Sequence, residues 1–457
     1  MKRFLITIFS LATLFVSEQA VAQSSTSYFM EGSYFRTELN PALRPTRGYI
    51  ALPGMSGVGA NVSNNFLSVD NFFYKKNGEV VTAFHGSVGT AEFLNRLPNT
   101  EKLGVNLNVN ILGAGFYSNH TFWNFGINMR SQSDIALSKD IFKALKTLGN
   151  GTYNLSDTSI SSNNFAEVYV GSSFPVCKWI NVGVKVKFLI GIMNASTDIS
   201  EMVANVSPES ISARLRGTVR ANGLIFDSSK VRPGEKFSSD ALKFNDINFM
   251  LKNARSFGAA IDAGVEFNLL NDHLRVSAAV TDLGFIKWYK KSHVTAEANA
   301  DFNFNGINLN SNEADLNSNF DATWSSTPAK GYVTRLNCSM NVGVEYTILR
   351  NRISFGLLSH TEFCNSMSYT ELTASVNFRP LNWLSATLSH TFLNRNKLGV
   401  FGFALNIHPS AINIFVGADY IDLKMVSYKG MPIPRNMKSI NVYAGIGFNL
   451  GRPKFAK

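Results

Sequence analysis

Two tetrapeptides stand thirty residues apart, Leu358-Ser359-His360-Thr361 and Leu388-Ser389-His390-Thr391. A serine with an imidazole in hydrogen-bond reach, and an acid to orient the ring, is the chemistry of nucleophilic hydrolysis. Both copies lie in stretches that alternate apolar and polar residues, so each reads as a β-strand whose adjacent side chains point to opposite faces. Serine and histidine then look away from each other, with His360 inward and His390 outward, and no enzyme is expected. No glycine-rich phosphate cradle follows a strand, and no His, Cys and Asp group shows metal-ligand spacing, so no cofactor or metal is expected either.

The same alternation sorts the charged residues. The wet parity carries Arg130, Glu167, Lys185, Lys187, Asp262, Glu266, Arg275, Arg335, Glu345, Glu371 and Asp419. Both signs occur on neighbouring strands, and charges close together in a narrow interior pair, which favours salt-bridged packing over a wide selective pore. Asp282 falls on the dry parity, where a bulge or a rim position must rescue it.

The elements that position these residues are strands with one dry and one wet face, clearest in Leu103-Gly104-Val105-Asn106-Leu107-Asn108-Val109-Asn110-Ile111. Spanning strands are placed near 55–63, 102–117, 121–131, 163–174, 179–191, 255–269, 273–287, 331–347, 352–361, 367–379, 383–393, 397–408, 411–421 and 438–450. The chain opens with Lys2 and Arg3, an apolar core from Phe4 to Val16, and Ala20-Val21-Ala22, the form of a secretory signal cleaved before Gln23. An exported chain of alternating strands turns its wet face to a lumen and its dry face to lipid. The fold class is therefore all-β, a transmembrane antiparallel barrel of about fourteen strands in the Gram-negative outer membrane. Thirty-six phenylalanines suit aromatic girdles at the two interfaces.

Six short links, Ser118-Asn119-His120, Pro175 to Lys178, Leu270-Asn271-Asp272, Leu349-Arg350-Asn351, Pro380-Leu381-Asn382 and Pro409-Ser410, alternate with longer segments. Bacterial barrels keep periplasmic turns short, so both termini are expected in the periplasm. The segments Ile211 to Ala221 and Val294 to Phe304 also alternate. Counting them as spanning gives sixteen strands but needs a long periplasmic link, so they are expected as ribbons in two outer loops. Trp123, Trp179 and Trp383 start upward strands at the periplasmic interface, while Trp288 ends one at the other interface. Ile135 to Leu148 has helical spacing before Gly149 and reads as a short helix packed on the rim.

Cys177, Cys338 and Cys364 fall at the periplasmic rim, on the lipid face and in an outer loop, too far apart for a disulfide. The formal charge of +11 suits lipopolysaccharide phosphates, and nothing interleaves the basic residues as a nucleic-acid platform requires. Tyr443 to Leu450, with Gly445, Phe448 and Leu450, has the form of the C-terminal signal read by the barrel assembly machinery.

Leu39-Asn40-Pro41-Ala42-Leu43, followed by Arg47-Gly48-Tyr49-Ile50-Ala51-Leu52-Pro53, resembles the start of FadL-type barrels. With Val182-Gly183-Val184-Lys185, the strand carrying Asp262 and Gly264, and Asp282-Leu283-Gly284, the order resembles uncharacterised Bacteroidota barrels related to FadL and to PorV of the type IX secretion system. The resemblance implies a hatch around Asn40, Pro41 and Ala42 and a lateral route for apolar solutes. FadL barrels also open their wall at a defect in an early strand, whereas residues 121–131 here alternate cleanly. The hatch agrees with the residues themselves. Pro41, Pro45, Gly48 and Pro53 crowd this stretch too closely for a ladder strand, and its apolar side chains need shelter. The chain thus divides into a signal peptide, 1–22, a hatch, 23–54, and a barrel, 55–457. Passive uptake of a small, hydrophobic solute is the leading expectation, with a PorV-like adaptor for secreted or surface proteins and a structural surface barrel as alternatives.

Overall fold

A computed structural model describes residues 25–53, 56–98, 100–147, 149–207, 211–223, 255–289, 293–304, 322–325, 331–363, 368–393, 399–422, 424–428, 431–434 and 439–453. The signal segment, Gln23 and Cys364 lie outside these residues.

Fourteen strands form a closed antiparallel barrel. They are β1 (Gly48–Ala51, resumed at Val58–Asn64), β2 (Thr100–Ser118), β3 (Thr121–Ser138), β4 (Ser159–Cys177), β5 (Ile180–Val206), β6 (Phe257–Leu269) and β7 (Leu274–Lys287), then β8 (Val333–Arg335, resumed at Cys338–Ile348), β9 (Ile353–Phe363), β10 (Tyr369–Leu381), β11 (Leu384–Leu393), β12 (Val400–Ile407), β13 (Ile412–Ile421) and β14 (Ser439–Leu450). Each pairs with the next, and β14 closes the ring on β1, with Leu450 opposite Gly48 and Val442 opposite Ala60. A ring leaves no unpaired edge, so every wall strand satisfies its backbone groups on both sides.

The six short links all lie at one rim, and the longer segments at the other. Leu270-Asn271-Asp272, at φ 51, 55 and 67°, and Leu349-Arg350-Asn351, at φ 51, 56 and 66°, turn the chain in the left-handed region. Along β10 the parity is plain: Leu372, Val376 and Phe378 face outward while Glu371, Thr373, Ser375 and Asn377 are buried inside. Exposed aromatics mark two heights on the outer face. Trp179 and Phe188, Phe355 and Phe363, and Trp383 and Phe392 are eight or nine residues apart on their strands. At about 3.3 Å per residue and a tilt of roughly 40°, that spacing spans about 20–23 Å, near the ~25 Å apolar band of an outer-membrane barrel. Trp288 departs from its expected interface position. It is fully buried against Phe165, Leu189 and Leu336, and its Nε1 donates to Thr334 Oγ1 at 2.9 Å.

Ile211–Gly223 and His293–Phe304 are ribbons, paired with each other from Ile211 and Phe304 to Asn222 and His293. They lean on the overhanging half of β5, whose pairing with the wall strand β6 ends at Ile190. The helix between β3 and β4 is Lys139–Thr147 and starts later than its periodicity implies. Ile135 and Leu137 are held in β3 by pairing with Leu103 and Glu101 of β2, and ladder pairing wins over helical spacing. Its Phe142 packs with Phe66, Phe72 and Phe93 in a small apolar cap.

Residues 25–47 fill the lumen as a plug of short turns, and Tyr28, Phe29, Leu39 and Leu43 are almost wholly buried. Gly48–Ala51 is a correction to the hatch boundary, because it belongs to the wall between β14 and β2. Pro45 and Pro53 flank these four residues without entering them, so the ladder loses no donor.

Candidate functional site

The plug is seated by its Asn40-Pro41-Ala42 turn. Asn40 Oδ1 accepts from Ala42 N at 2.9 Å and its Nδ2 donates to Tyr28 Oη at 3.0 Å, so one amide closes the turn and ties it to the preceding segment. Beneath it, Gly183 of β5 and Gly264 of β6 sit opposite each other in register. A Cβ on Gly183 would lie 2.2 Å from the Pro41 carbonyl carbon, and one on Gly264 would lie 2.1 Å from Asn40 Oδ1. Two paired glycines therefore form a seat that any side chain would fill.

Ion pairs hold the plug to the wall. Glu31 pairs with Arg275, and Asn351 Nδ2 donates to its carboxylate at 2.8 Å. Arg275 and Arg379 share Glu345, at 3.5 and 2.6 Å, and Arg379 Nη2 also donates to the Phe29 carbonyl at 2.8 Å. Burial alone would raise the Glu31 carboxyl, but Arg275, Arg379 and Arg36 beside it hold it well below the usual carboxylate range. Lys185 pairs with Glu38 at 2.8 Å and donates to the Thr37 carbonyl at 3.2 Å. The plug carboxylates Glu31 and Glu38 were absent from the residues singled out in the sequence. Their signal is an acidic residue inside an apolar, irregular segment, which needs a buried cation once that segment enters the barrel.

A second network stands beside the plug. Arg130 meets Glu167 at 3.3 Å and Asp282 at 2.6 Å, and Lys187 meets Asp282 at 2.6 Å and Asp262 at 2.8 Å. Asp282 comes inside because two residues of β7, Thr281 and Asp282, stand opposite Asp262 alone, and Asp282 takes φ 62° at this bulge. Glu266 accepts from Asn181 at 2.8 Å, Glu371 from Ser25 at 2.5 Å and Tyr420 at 2.8 Å, and Asp419 from Asn441 at 2.7 Å. Arg335 is the correction: it is exposed, not in the lumen. The wall strand breaks after it, and Leu336 and Asn337 step inward, where Asn337 N donates to Gln132 Oε1 of β3 at 3.1 Å. That step resets the parity on which the inward reading of Arg335 relied. At the end of β14, Gly445 is buried against Phe415, while Phe448 and Leu450 face outward.

Two cavities border the plug. The upper one lies between Phe35, Glu38 and the inner faces of β1, β2 and β3, with Asn61, Asn106, Asn108 and Arg130 in its lining. The lower one shares Phe35, Glu38 and Asn108 with it and runs to Ser56 and Gly57. Those last two residues belong to a break in the wall. Ala51 pairs with Gly113 and Val58 with Val109, so the ladder of β1 on β2 is interrupted between Ala51 and Val58, where Asn110 N donates to the Gly57 carbonyl at 2.9 Å. The expectation of a defect tested residues 121–131, which pair without interruption from β2 to β4, and the actual break is in the first strand. The upper lining is rich in amides and charged side chains, while the lower one adds the rings of Tyr34, Phe35, Tyr49 and Tyr169 to its asparagines.

Among solved structures, the chain is similar to the Ralstonia pickettii toluene transporter TbuX, at 9% identity over 94% of this chain and 95% of that one, with a TM-score of 0.39. It is similar to a Pseudomonas aeruginosa FadL homologue, at 8% identity over 94% and 98%, with a TM-score of 0.40. It is also similar to a mutant of the TodX monoaromatic hydrocarbon channel, at 9% identity over 95% and 96%, with a TM-score of 0.41. No curated protein matches it. The family of unknown function DUF5723 matches residues 41–419, from the Pro41 of the plug turn to Asp419 of β13, and the chain belongs to that family.

Proposed function

We propose that this chain is a non-enzymatic barrel of the Gram-negative outer membrane, both termini in the periplasm, that lets a small solute cross passively along the flank of its plug. The observation that carries this reading is the interruption of β1 between Ala51 and Val58, where Ser56 and Gly57 border a cavity that shares Phe35, Glu38 and Asn108 with the one above it. A continuous wall would need the whole plug to leave before anything passed, whereas a broken strand beside the cavity offers an exit through the side. The two aromatic belts support a membrane setting, with lipid on the apolar outer band and lipopolysaccharide around the outer loops of a chain of net charge +11. Phe448 and Leu450, outward on the closing strand, suit a segment presented to the barrel assembly machinery.

A second reading, an adaptor for secreted or surface proteins of the PorV kind, is favoured by the ribbon that overhangs the wall from β5. Its exposed pairs, Arg214 with Glu201 at 3.0 Å and Arg216 with Asp301 at 2.6 Å, give it a charged surface rather than an apolar one.

Single-channel recording in planar bilayers tests the first reading. The full chain should show little steady conductance, and deletion of residues 24–46 should leave a heat-modifiable barrel with conductance at least tenfold higher. Equal conductance in the two would mean that the plug does not close the lumen, and the passage reading would fall.

A further inference from the structure

Four amide oxygens on this flank, the Oδ1 atoms of Asn61, Asn106, Asn108 and Asn110, are buried and have no hydrogen-bond partner. Asn106, Asn108 and Asn110 are successive inward positions of β2, and Asn61 pairs across to Asn106 from β1. All four line one or the other of the two cavities.

Their orientation is set by chemistry. Asn106 Nδ2 donates to Glu362 Oε1 at 3.1 Å. Asn110 Nδ2 donates to Asn128 Oδ1 at 2.8 Å, and Asn128 Nδ2 donates in turn to Glu167 Oε1 at 3.0 Å. Each relay ends on a carboxylate, which accepts and cannot donate when ionised, so turning either amide over would set oxygen against oxygen. At Asn106 and Asn110 the carbonyl ends are therefore the ends left over, and the Oδ1 atoms of Asn61 and Asn108 join them without a partner among the described residues. Four such oxygens side by side are uncommon in a protein interior, where buried polar groups are nearly always paired.

The geometry assigns this strip as the binding face for a small solute rich in hydrogen-bond donors, such as a polyhydroxylated molecule. This rests on the passage reading above and names the class of solute. An apolar solute would leave the oxygens unpaired as it passed, and an anion would meet the oxygens together with Glu362 and Glu38. Hydroxyl or ammonium hydrogens would complete them.

Proteoliposomes holding the full-length barrel distinguish the donor sources. Sorbitol supplies hydroxyl donors, glycine supplies ammonium donors, and glycine betaine keeps the charges of glycine with its donors methylated away. Sorbitol, although larger than betaine, should enter at least fivefold faster, and Asn61→Leu or Asn108→Leu should bring that ratio towards one. Asn108→Asp keeps an acceptor in place and should preserve the preference, which separates lost recognition from lost folding. Glycine entering faster than betaine extends the class to ammonium solutes, and equal rates for those two confine it to hydroxyl donors.

If sorbitol and betaine enter wild-type vesicles equally fast, the donor-recognition proposal is wrong while passage stands. If nothing enters, the passage reading fails, and the strip is judged by binding alone. Millimolar sorbitol should then raise the heat-modification midpoint of the wild type and leave Asn61→Leu unmoved. No shift in either would mean that the strip holds ordered water only, and would overturn the proposal.

Discussion

The two sides of the plug are built on opposite terms. Towards β6 to β10, ion pairs tie the plug to the wall: Glu31 lies against Arg275, which shares Glu345 with Arg379, and Arg379 reaches back to the Phe29 carbonyl. Towards β1, β2 and β3, the plug faces two cavities and amide oxygens that have no hydrogen-bond partner among the described residues, beside the interruption of β1; the upper cavity also touches Asn337, in the break of β8. One side anchors and the other yields. Ion pairs in a low-dielectric interior hold a geometry firmly because breaking one leaves an unpaired charge, whereas unsatisfied amides next to empty space hold nothing. A solute route is then expected on the side where opening disturbs the fewest paired groups.

The largest effect should come from breaking the anchored side. Glu345→Ala leaves Arg275 and Arg379 buried with one carboxylate removed, a change of about 3–5 kcal/mol for buried pairs. Urea unfolding in lipid vesicles should show that loss together with a raised conductance as the plug loosens. Loss of stability without added conductance would mean that the cluster supports the wall and not the plug.

A somewhat smaller effect should follow from acid. His408 lies just past β12, against Gly32 of the plug, where an added Cβ on the glycine would sit 2.1 Å from its Nε2. Burial, and then the charge of Arg47, lower its pKa from 6.5 to about 4. A plug that leaves returns the ring to water, so the undocked state takes up the proton first. Docking is thus fully favoured above about pH 6.5 and loses ground as the pH falls towards 4, on the order of 3 kcal/mol at 1.36 kcal/mol per unit. Glu31, held well below the usual carboxylate range while docked, adds a loss of the same sign only as the pH nears its ordinary 4.5. Conductance should rise between pH 7 and pH 5.5 in the wild type and stay flat in His408→Gln. A rise of equal size in both would assign the acid response elsewhere.

Much of the frame was legible before any coordinates. Period-two alternation and the parity of short and long links placed all fourteen wall strands, because a strand between lipid and lumen has no freedom to mix its faces. A turn at Asn40-Pro41-Ala42 was an expectation of the resemblance, while the seat that Gly183 and Gly264 make for it required the register of β5 on β6. The bulge at Asp282 was legible as well, as one of two rescues for an acid on the dry parity. What stayed hidden are Arg335, which turns outward where β8 breaks, and the interruption of β1 between Ala51 and Val58. Parity carries no signal for such a slip, since each side of it alternates correctly. The ion pairs of Glu31 and Glu38 were hidden for another reason: an irregular segment has no period from which to infer a facing.

The smallest effect, and the sharpest test of the yielding side, concerns stability alone. Asn108 contributes an unpaired buried oxygen, and none of its described side-chain atoms takes part in a hydrogen bond that holds another residue. Replacing it with leucine, of similar volume, removes an acceptor whose burial costs about 1–3 kcal/mol and strands no partner. Asn108→Leu should therefore unfold at the same or a slightly higher urea concentration, a gain of about 1 kcal/mol. The same substitution at Asn341 should instead destabilise, because that amide donates to the Leu39 carbonyl at 2.9 Å and accepts at His360 at 2.7 Å. An asparagine kept where leucine would be more stable is the mark of a group retained for what passes it rather than for the fold. A loss of stability in Asn108→Leu as large as that in Asn341→Leu would erase the contrast between the two sides, and with it the reason to place the route along β2.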